Sequence, residues 1–178
     1  MSHHKFFDNK GNNKYITPYS EVPDHHGIVR ASILPYIREN SNIIIMLGTK
    51  YHGKYTDFGG GCKWKRETWK RCLFREVREE LYIGLSEEYL MKYSNVLLIP
   101  GKVQDQYLIL LELSDFSEID YNYYNVLDDP WSNKDKMEIK RLFYTDSSYL
   151  NFNNIWKLDS SFSYIMKYVL NNNIDLFS

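Results

Sequence analysis

Apolar and polar positions alternate with two different periods along the chain, and the switches between them predict the elements. Branched and small residues at Ile28, Ser32, Ile33 and Ile37 predict a strand over residues 27–37. Asn42 to Leu47 reads as a second, buried strand, with Glu39-Asn40-Ser41 turning between them. Tyr51-His52-Gly53-Lys54 is a turn leading into an extended piece through Phe58, and Gly59, Gly60 and Gly61 open backbone angles closed to other residues. The period then changes to helical. Trp69, Cys72, Leu73, Val77 and Leu81 form one stripe over Thr68–Leu81, with Thr68 as N-cap and Gly84 as the expected stop. A short helix is expected over Glu87–Tyr93, then strands over Val96–Ile99, Gln106–Leu113 and Glu138–Tyr144. Ser160–Leu170 closes the chain as an amphipathic helix with Phe162, Ile165, Met166 and Val169 inward. Asp115–Asp135, rich in Tyr, Asn and Asp, is expected as a long surface loop.

These elements predict an α+β fold, a sandwich in which helices flank a mixed sheet. Residues 1–26 read as a polar N-terminal extension, and 27–178 as a single domain. A chain of 178 residues with 43% hydrophobic content carries one substantial core. The net charge of -1 supplies no global field for nucleic acid or anionic membrane. Apolar runs such as Ile43–Leu47 are too short to span a bilayer, and the start of the chain lacks a signal peptide's apolar core, so a cytoplasmic location is expected. Cys62 and Cys72 show neither Cys-x-x-Cys nor finger spacing and read as reduced bystanders. His25, His26 and His52 show no partner pattern and read as surface or turn residues. Ala31 is the sole alanine against 16 tyrosines, a skew matching an AT-rich genome.

The chemistry concentrates opposite the apolar stripe. Glu76, Glu79 and Glu80 stand at i, i+3 and i+4, on one helical face. At about 6 Å and an effective dielectric near 20, each like-charged pair costs roughly 3 kcal/mol unless neutralised. A divalent cation neutralises it, and oxygen-only ligands favour Mg²⁺ or Mn²⁺ over zinc.

The full segment, Gly61, five residues, Glu67, seven residues, then Arg75-Glu76-Val77-Arg78-Glu79-Glu80, resembles the Nudix box. Ile83 satisfies its final aliphatic position, while Tyr82 replaces the late glycine, whose turn Gly84 is expected to take over. The likeness extends over residues 27–170, through Phe58-Gly59-Gly60-Gly61 and a late Glu before an aromatic strand. The glycine run and the composition look like Nudix proteins of large DNA viruses. The resemblance implies an αβα sandwich that hydrolyses a diphosphate bond in a nucleoside diphosphate linked to another group, with Mg²⁺ or Mn²⁺. It makes Glu76, Glu79 and Glu80 the metal ligands, with Glu76 alternatively the base and a Gly60 or Gly61 carbonyl completing the shell. Arg75 is expected to pair with Glu79 at i+4 and with Glu67, fixing the acids. Glu138 matches the late Glu, a further ligand or general base, and Glu112 is a second acid that faces the cleft if its strand turns that way. Lys50, Lys54, Lys63 and Lys65 flank the glycine loop as candidate phosphate contacts.

A small nucleotide-derived substrate is favoured: a nucleoside triphosphate, dinucleoside polyphosphate or nucleotide sugar. The alternatives are capped RNA, with the chain as a decapping enzyme, and a diphosphoinositol polyphosphate. A non-catalytic nucleotide-binding module is the alternative of another class. Homodimerisation is expected by analogy with small Nudix enzymes.

Overall fold

The computed structural model describes residues 15–63 and 65–178. Eight strands form one mixed sheet: β1 (Ile16–Pro18), β2 (Ile28–Glu39), β3 (Asn42–Thr49), β4 (Tyr55–Thr56), β5 (Phe58–Gly61), β6 (Ser94–Ile99), β7 (Asp105–Leu113) and β8 (Arg141–Asp146). Four helices accompany them: α1 (Trp69–Leu81), α2 (Glu87–Tyr93), α3 (Ser117–Leu127) and α4 (Ser160–Asn171). The order along the sheet is β1-β6-β7-β2-β3-β4, with β5 added to β2 and β8 added to β3. β2 and β7 run parallel, and every other pairing is antiparallel.

Why the central strands read as nearly unbroken apolar runs is visible in the core. Ile109 and Leu111 of β7, Val96 of β6 and Met46 of β3 face one layer, with Trp69, Leu73, Val77 and Leu81 of α1, Leu90 of α2 and Ile119 and Tyr123 of α3. Their neighbours Leu108, Leu110, Leu97, Ile45 and Leu47 face the opposite layer, with Phe162, Ile165, Met166 and Val169 of α4. A strand covered by helices on both sides needs apolar residues at successive positions. The architecture is therefore the expected α+β sandwich in three layers.

One strand organises the rest. The first half of β2 pairs with β5 over Arg30–Ile33, and its second half pairs with β3 over Tyr36–Glu39. Leu34 and Pro35 fall at the changeover on that edge, where a residue without an N–H fits. The changeover lets β5 leave the sheet's main line and feed α1.

Three segments differ from expectation. The stretch expected as a loop over Asp115–Asp135 contains α3, because Ile119 and Tyr123, four apart, are both buried. Tyr123 Oη also donates to the Ile139 carbonyl at 2.6 Å. Helix α1 ends at Tyr82, not Gly84: Tyr82 itself adopts the left-handed conformation (φ 59°, ψ 30°) and its N–H bonds Arg78 O. A tyrosine there costs about 1 kcal/mol relative to glycine, offset by its ring lying 6.4 Å from that of Tyr123. The last strand starts at Arg141, so Glu138 precedes it.

Within the stretch 1–26, residues 1–14 lie outside the described residues. Beyond them, β1 pairs with β6, and residues 23–25 cap helix α1. Trp69 N bonds His25 O at 3.0 Å, Trp69 Nε1 bonds Pro23 O at 2.9 Å, and the Asp24 carboxylate accepts from Lys70 N and Thr68 Oγ1. A carboxylate at a helix N-terminus satisfies free N–H groups and opposes the helix dipole favourably. No helix among the described residues is long and apolar enough to cross a membrane.

Replacing Tyr123 by Phe leaves the buried Ile139 carbonyl without its donor. The expected loss is about 1–2 kcal/mol in urea unfolding, and an unchanged midpoint would show that this bond does not anchor α3.

Candidate active site

The site forms where β5 hands over to α1. Gly59 and Gly60 are required by close approach. A Cβ at Gly59 would overlap the Ala31 carbonyl and Ser32 backbone of β2, and a Cβ at Gly60 would overlap the Glu76 carboxylate. The glycine strand thus brings a bare backbone against the acidic face of α1.

Arg75 is the hub. Its Nε and Nη2 donate to the two oxygens of Glu67 at 2.7 and 2.9 Å, a bidentate pair. Its Nη1 donates to Glu76 at 2.7 Å and, more weakly, to Glu79 at 3.4 Å, while Nη2 also reaches Gly61 O at 3.1 Å. Glu67 is held in turn by the Lys63 N–H at 3.0 Å. The Arg75 hydrogen bonds keep the Glu67 carboxyl below its ordinary range. The expected partners Glu67 and Glu79 are both found, but the tightest contact along the helix is to Glu76.

Glu80 faces a different environment. It is 6% exposed, and one oxygen accepts the Gly59 N–H at 2.9 Å. Burial first, then the charges of Asp57 and Glu138, push its carboxyl well above the usual range. Glu138 is exposed and stands close enough to act on Glu80 electrostatically. Glu79 is the outermost of the three helix acids, its side chain 59% exposed.

Behind Glu80 lies a pair that the sequence reading missed. Asp57, fully buried, receives Arg30 Nη1 and Nη2 at 3.0 and 2.7 Å and the Thr56 hydroxyl at 3.0 Å. Burial alone would raise the Asp57 carboxyl, and the Arg30 guanidinium overrides it, leaving it below the ordinary value. The available signal was a charge beside a largely apolar stretch in each case, Arg30 before residues 31–34 and Asp57 before Phe58, and a charge carried into a core demands a partner.

The remaining candidates scatter. Lys50 is ion-paired with Asp159 at 3.6 Å, and Lys54 and Lys63 are exposed. His52, expected without a partner, lies 3.3 Å from Asp159 through Nε2. The Lys54 N–H donates to Nδ1, so the proton of the neutral ring sits on Nε2. His25 likewise has a partner, the Tyr107 hydroxyl at 2.8 Å. Glu112 pairs with Arg38 at 2.7 Å, away from the acids of α1. Cys62 and Cys72, expected as free thiols, are joined by a disulfide with Cα atoms 5.1 Å apart.

Among the described residues, no three His, Cys, Asp or Glu side chains converge on one point. Arg75 holds Glu76, and the Gly59 N–H holds Glu80. The donor set nevertheless fits a hard divalent cation. It is all oxygen, it includes a buried carboxyl whose charged form is disfavoured by two neighbouring acids, and a bare glycine backbone packs directly against Glu76.

No protein-family profile matches the chain, and no curated protein matches it. Among solved structures it is similar to C. elegans Ap4A hydrolase, at 15% identity over 79% of this chain and 93% of that chain, with a TM-score of 0.39. A C. elegans Ap4A hydrolase binary complex gives 15% identity, the same coverage and a TM-score of 0.42. The Nudix hydrolase RenU from M. smegmatis gives 10% identity over 85% of this chain and 90% of that chain, with a TM-score of 0.43. Likeness at this level transfers neither an activity nor a substrate.

The raised Glu80 carboxyl has a stability consequence. Its contribution is fully present below the unfolded value and is lost as pH rises through the higher folded value. In chelator, thermal unfolding of wild type should therefore lose stability as pH rises above the ordinary carboxylate range, to a degree that Glu80→Gln does not. Superimposable pH profiles for the two proteins would contradict the burial of an unbalanced Glu80.

Proposed function

We propose that this chain is a Nudix-type hydrolase that uses Mg²⁺ or Mn²⁺ to cleave a diphosphate bond in a small nucleotide derivative. The observation that carries the reading is the Arg75 hub, which joins Glu67, Glu76, Glu79 and the glycine strand in one network. A surface acidic helix usually pairs its acids with scattered lysines. Here a single guanidinium, itself fixed by Glu67, orders them against a backbone that only glycine permits.

In this reading Glu79 and Glu80 hold the cation, Glu76 is the third carboxylate, and a Gly60 or Gly61 carbonyl completes the set. When bound, the cation offsets diphosphate charge and makes a nearby water more acidic. Arg75 fixes Glu76 and so limits how far the helix acids spread. Glu138 is our choice of general base. It is exposed and outside the Arg75 network, whereas Glu76 is engaged at 2.7 Å and covered by Gly60. Glu138 takes the proton of the attacking water, water oxygen bonds to phosphorus, and the bridging P–O bond breaks to leave two phosphate-bearing products. Lys54 and Lys63, both exposed, are the side chains we assign to substrate phosphates, with Lys50 restrained by Asp159. A homodimer and a cytoplasmic setting are part of the same proposal.

Glu79→Gln or Glu80→Gln should lower turnover at least 100-fold with fold retained by circular dichroism, and EDTA should abolish wild-type activity. Near-wild-type rates in either variant would remove the metal role. Nucleoside triphosphates, dinucleoside polyphosphates, nucleotide sugars, capped RNA and a diphosphoinositol polyphosphate, assayed side by side, test the substrate class. Phosphate-bearing products from the small nucleotides support the proposal. Release of cap nucleotide alone would transfer it to decapping, and binding without any product would make the chain a sensor.

A further inference from the structure

The Cys62–Cys72 disulfide sits on the hinge of the proposed metal site. Cys62 directly follows Gly61, whose carbonyl accepts from Arg75. Cys72 is fully buried on α1, one turn before Glu76. The loop between the two cysteines carries Glu67, the residue that grips Arg75 through both oxygens, and Thr68, the α1 N-cap. The covalent bond therefore closes a ring around the element that orients the hub.

We propose that Cys62–Cys72 is a thiol–disulfide exchange site for small dithiols, and that opening it weakens divalent-cation binding by the α1 carboxylates. The coupling rests on the metal reading above. Cys62 is partly exposed while Cys72 is not, so attack falls on Cys62. A dithiol sulfur bonds to Cys62 Sγ, and the Cys62–Cys72 bond breaks with its electron pair passing to Cys72 Sγ, which takes up a proton. The reagent's second sulfur then bonds to the first and releases Cys62, which takes up the second proton. Two electrons and two protons pass to the protein, and the reagent leaves as a cyclic disulfide. The reduced Cys72 has an acceptor in place, since its Sγ lies 3.6 Å from Gly60 O.

Opening the ring removes the covalent tie between the glycine strand and the first turn of α1. Glu67 then holds Arg75 through a loop with more freedom, and the helix acids lose part of their preset arrangement. Partners one step removed from a metal ligand typically change metal affinity by 10–100-fold. In a reducing compartment the site would be in its weaker state, and in an oxidising one in its stronger state.

The test compares full-length protein oxidised with glutathione disulfide against protein reduced with dithiothreitol and desalted without air. Intact mass and thiol titration read the bond, free Mn²⁺ by electron paramagnetic resonance reads affinity, and a thermal melt reads stability. The oxidised protein should show no free thiols. The reduced protein should show two, bind Mn²⁺ about tenfold more weakly and melt roughly 5–10 °C lower. Cys62→Ser should reproduce the reduced affinity and ignore dithiothreitol. Two titratable thiols after oxidation would overturn the exchange site, and equal Mn²⁺ affinity in both verified states would overturn the coupling alone. Failure of both states to bind Mn²⁺ would overturn the metal reading beneath it.

Discussion

Three carboxylates gathered on one guanidinium, with a fourth turned away from it, set the terms for this molecule. Glu67, Glu76 and Glu79 converge on Arg75, while Glu80 turns inward to the Gly59 N–H. Acids placed three and four apart on a helix repel one another, so they share a face only if something balances them. Arg75 supplies part of that balance. The raised carboxyl of Glu80, pressed by burial, Asp57 and Glu138, shows where it is incomplete. In the proposed reading, a divalent cation would supply the remaining neutralisation.

The rest of the fold serves to hold this arrangement still. β2 changes partners at Leu34 and Pro35, which frees β5 to approach α1 with three glycines in a row. The Arg30–Asp57 pair plugs the sheet behind Glu80. Residues 23–25 fasten the start of α1, and the Tyr82 turn ends it. On the far side, Tyr123 bonds Ile139 O and so fixes the segment on which Glu138 stands. Each device acts on one end or one face of the same helix.

Much of this was legible in the sequence because it is periodic or local. The apolar stripe of α1, its Thr68 cap and the alternating strands each announce themselves within a dozen residues, and the spacing from Gly61 to Glu80 marks the segment that Arg75 ties together. The missed features share a cause, which is separation along the chain. Arg30 and Asp57 meet across 27 residues, and His52 finds Asp159 across 107. The spacing of Cys62 and Cys72 gives no hint that a loop folds back to bring them within bonding distance. Helix α3 was obscured differently: its tyrosines and asparagines are weak helix formers, and burial of Ile119 and Tyr123 outweighs their local preference. Tyr82 shows the same rule at one residue, where tertiary contact holds a side chain in a conformation that favours glycine.

The central claim is that these oxygens hold a divalent cation. Crystals soaked in Mn²⁺ and measured at a wavelength where manganese scatters anomalously address it directly. The account predicts a peak bounded by the carboxylates of Glu76, Glu79 and Glu80 and the glycine backbone of β5. A peak elsewhere, with Arg75 still closed on Glu76 and Glu80 still turned to Gly59 in saturating Mn²⁺, would contradict it.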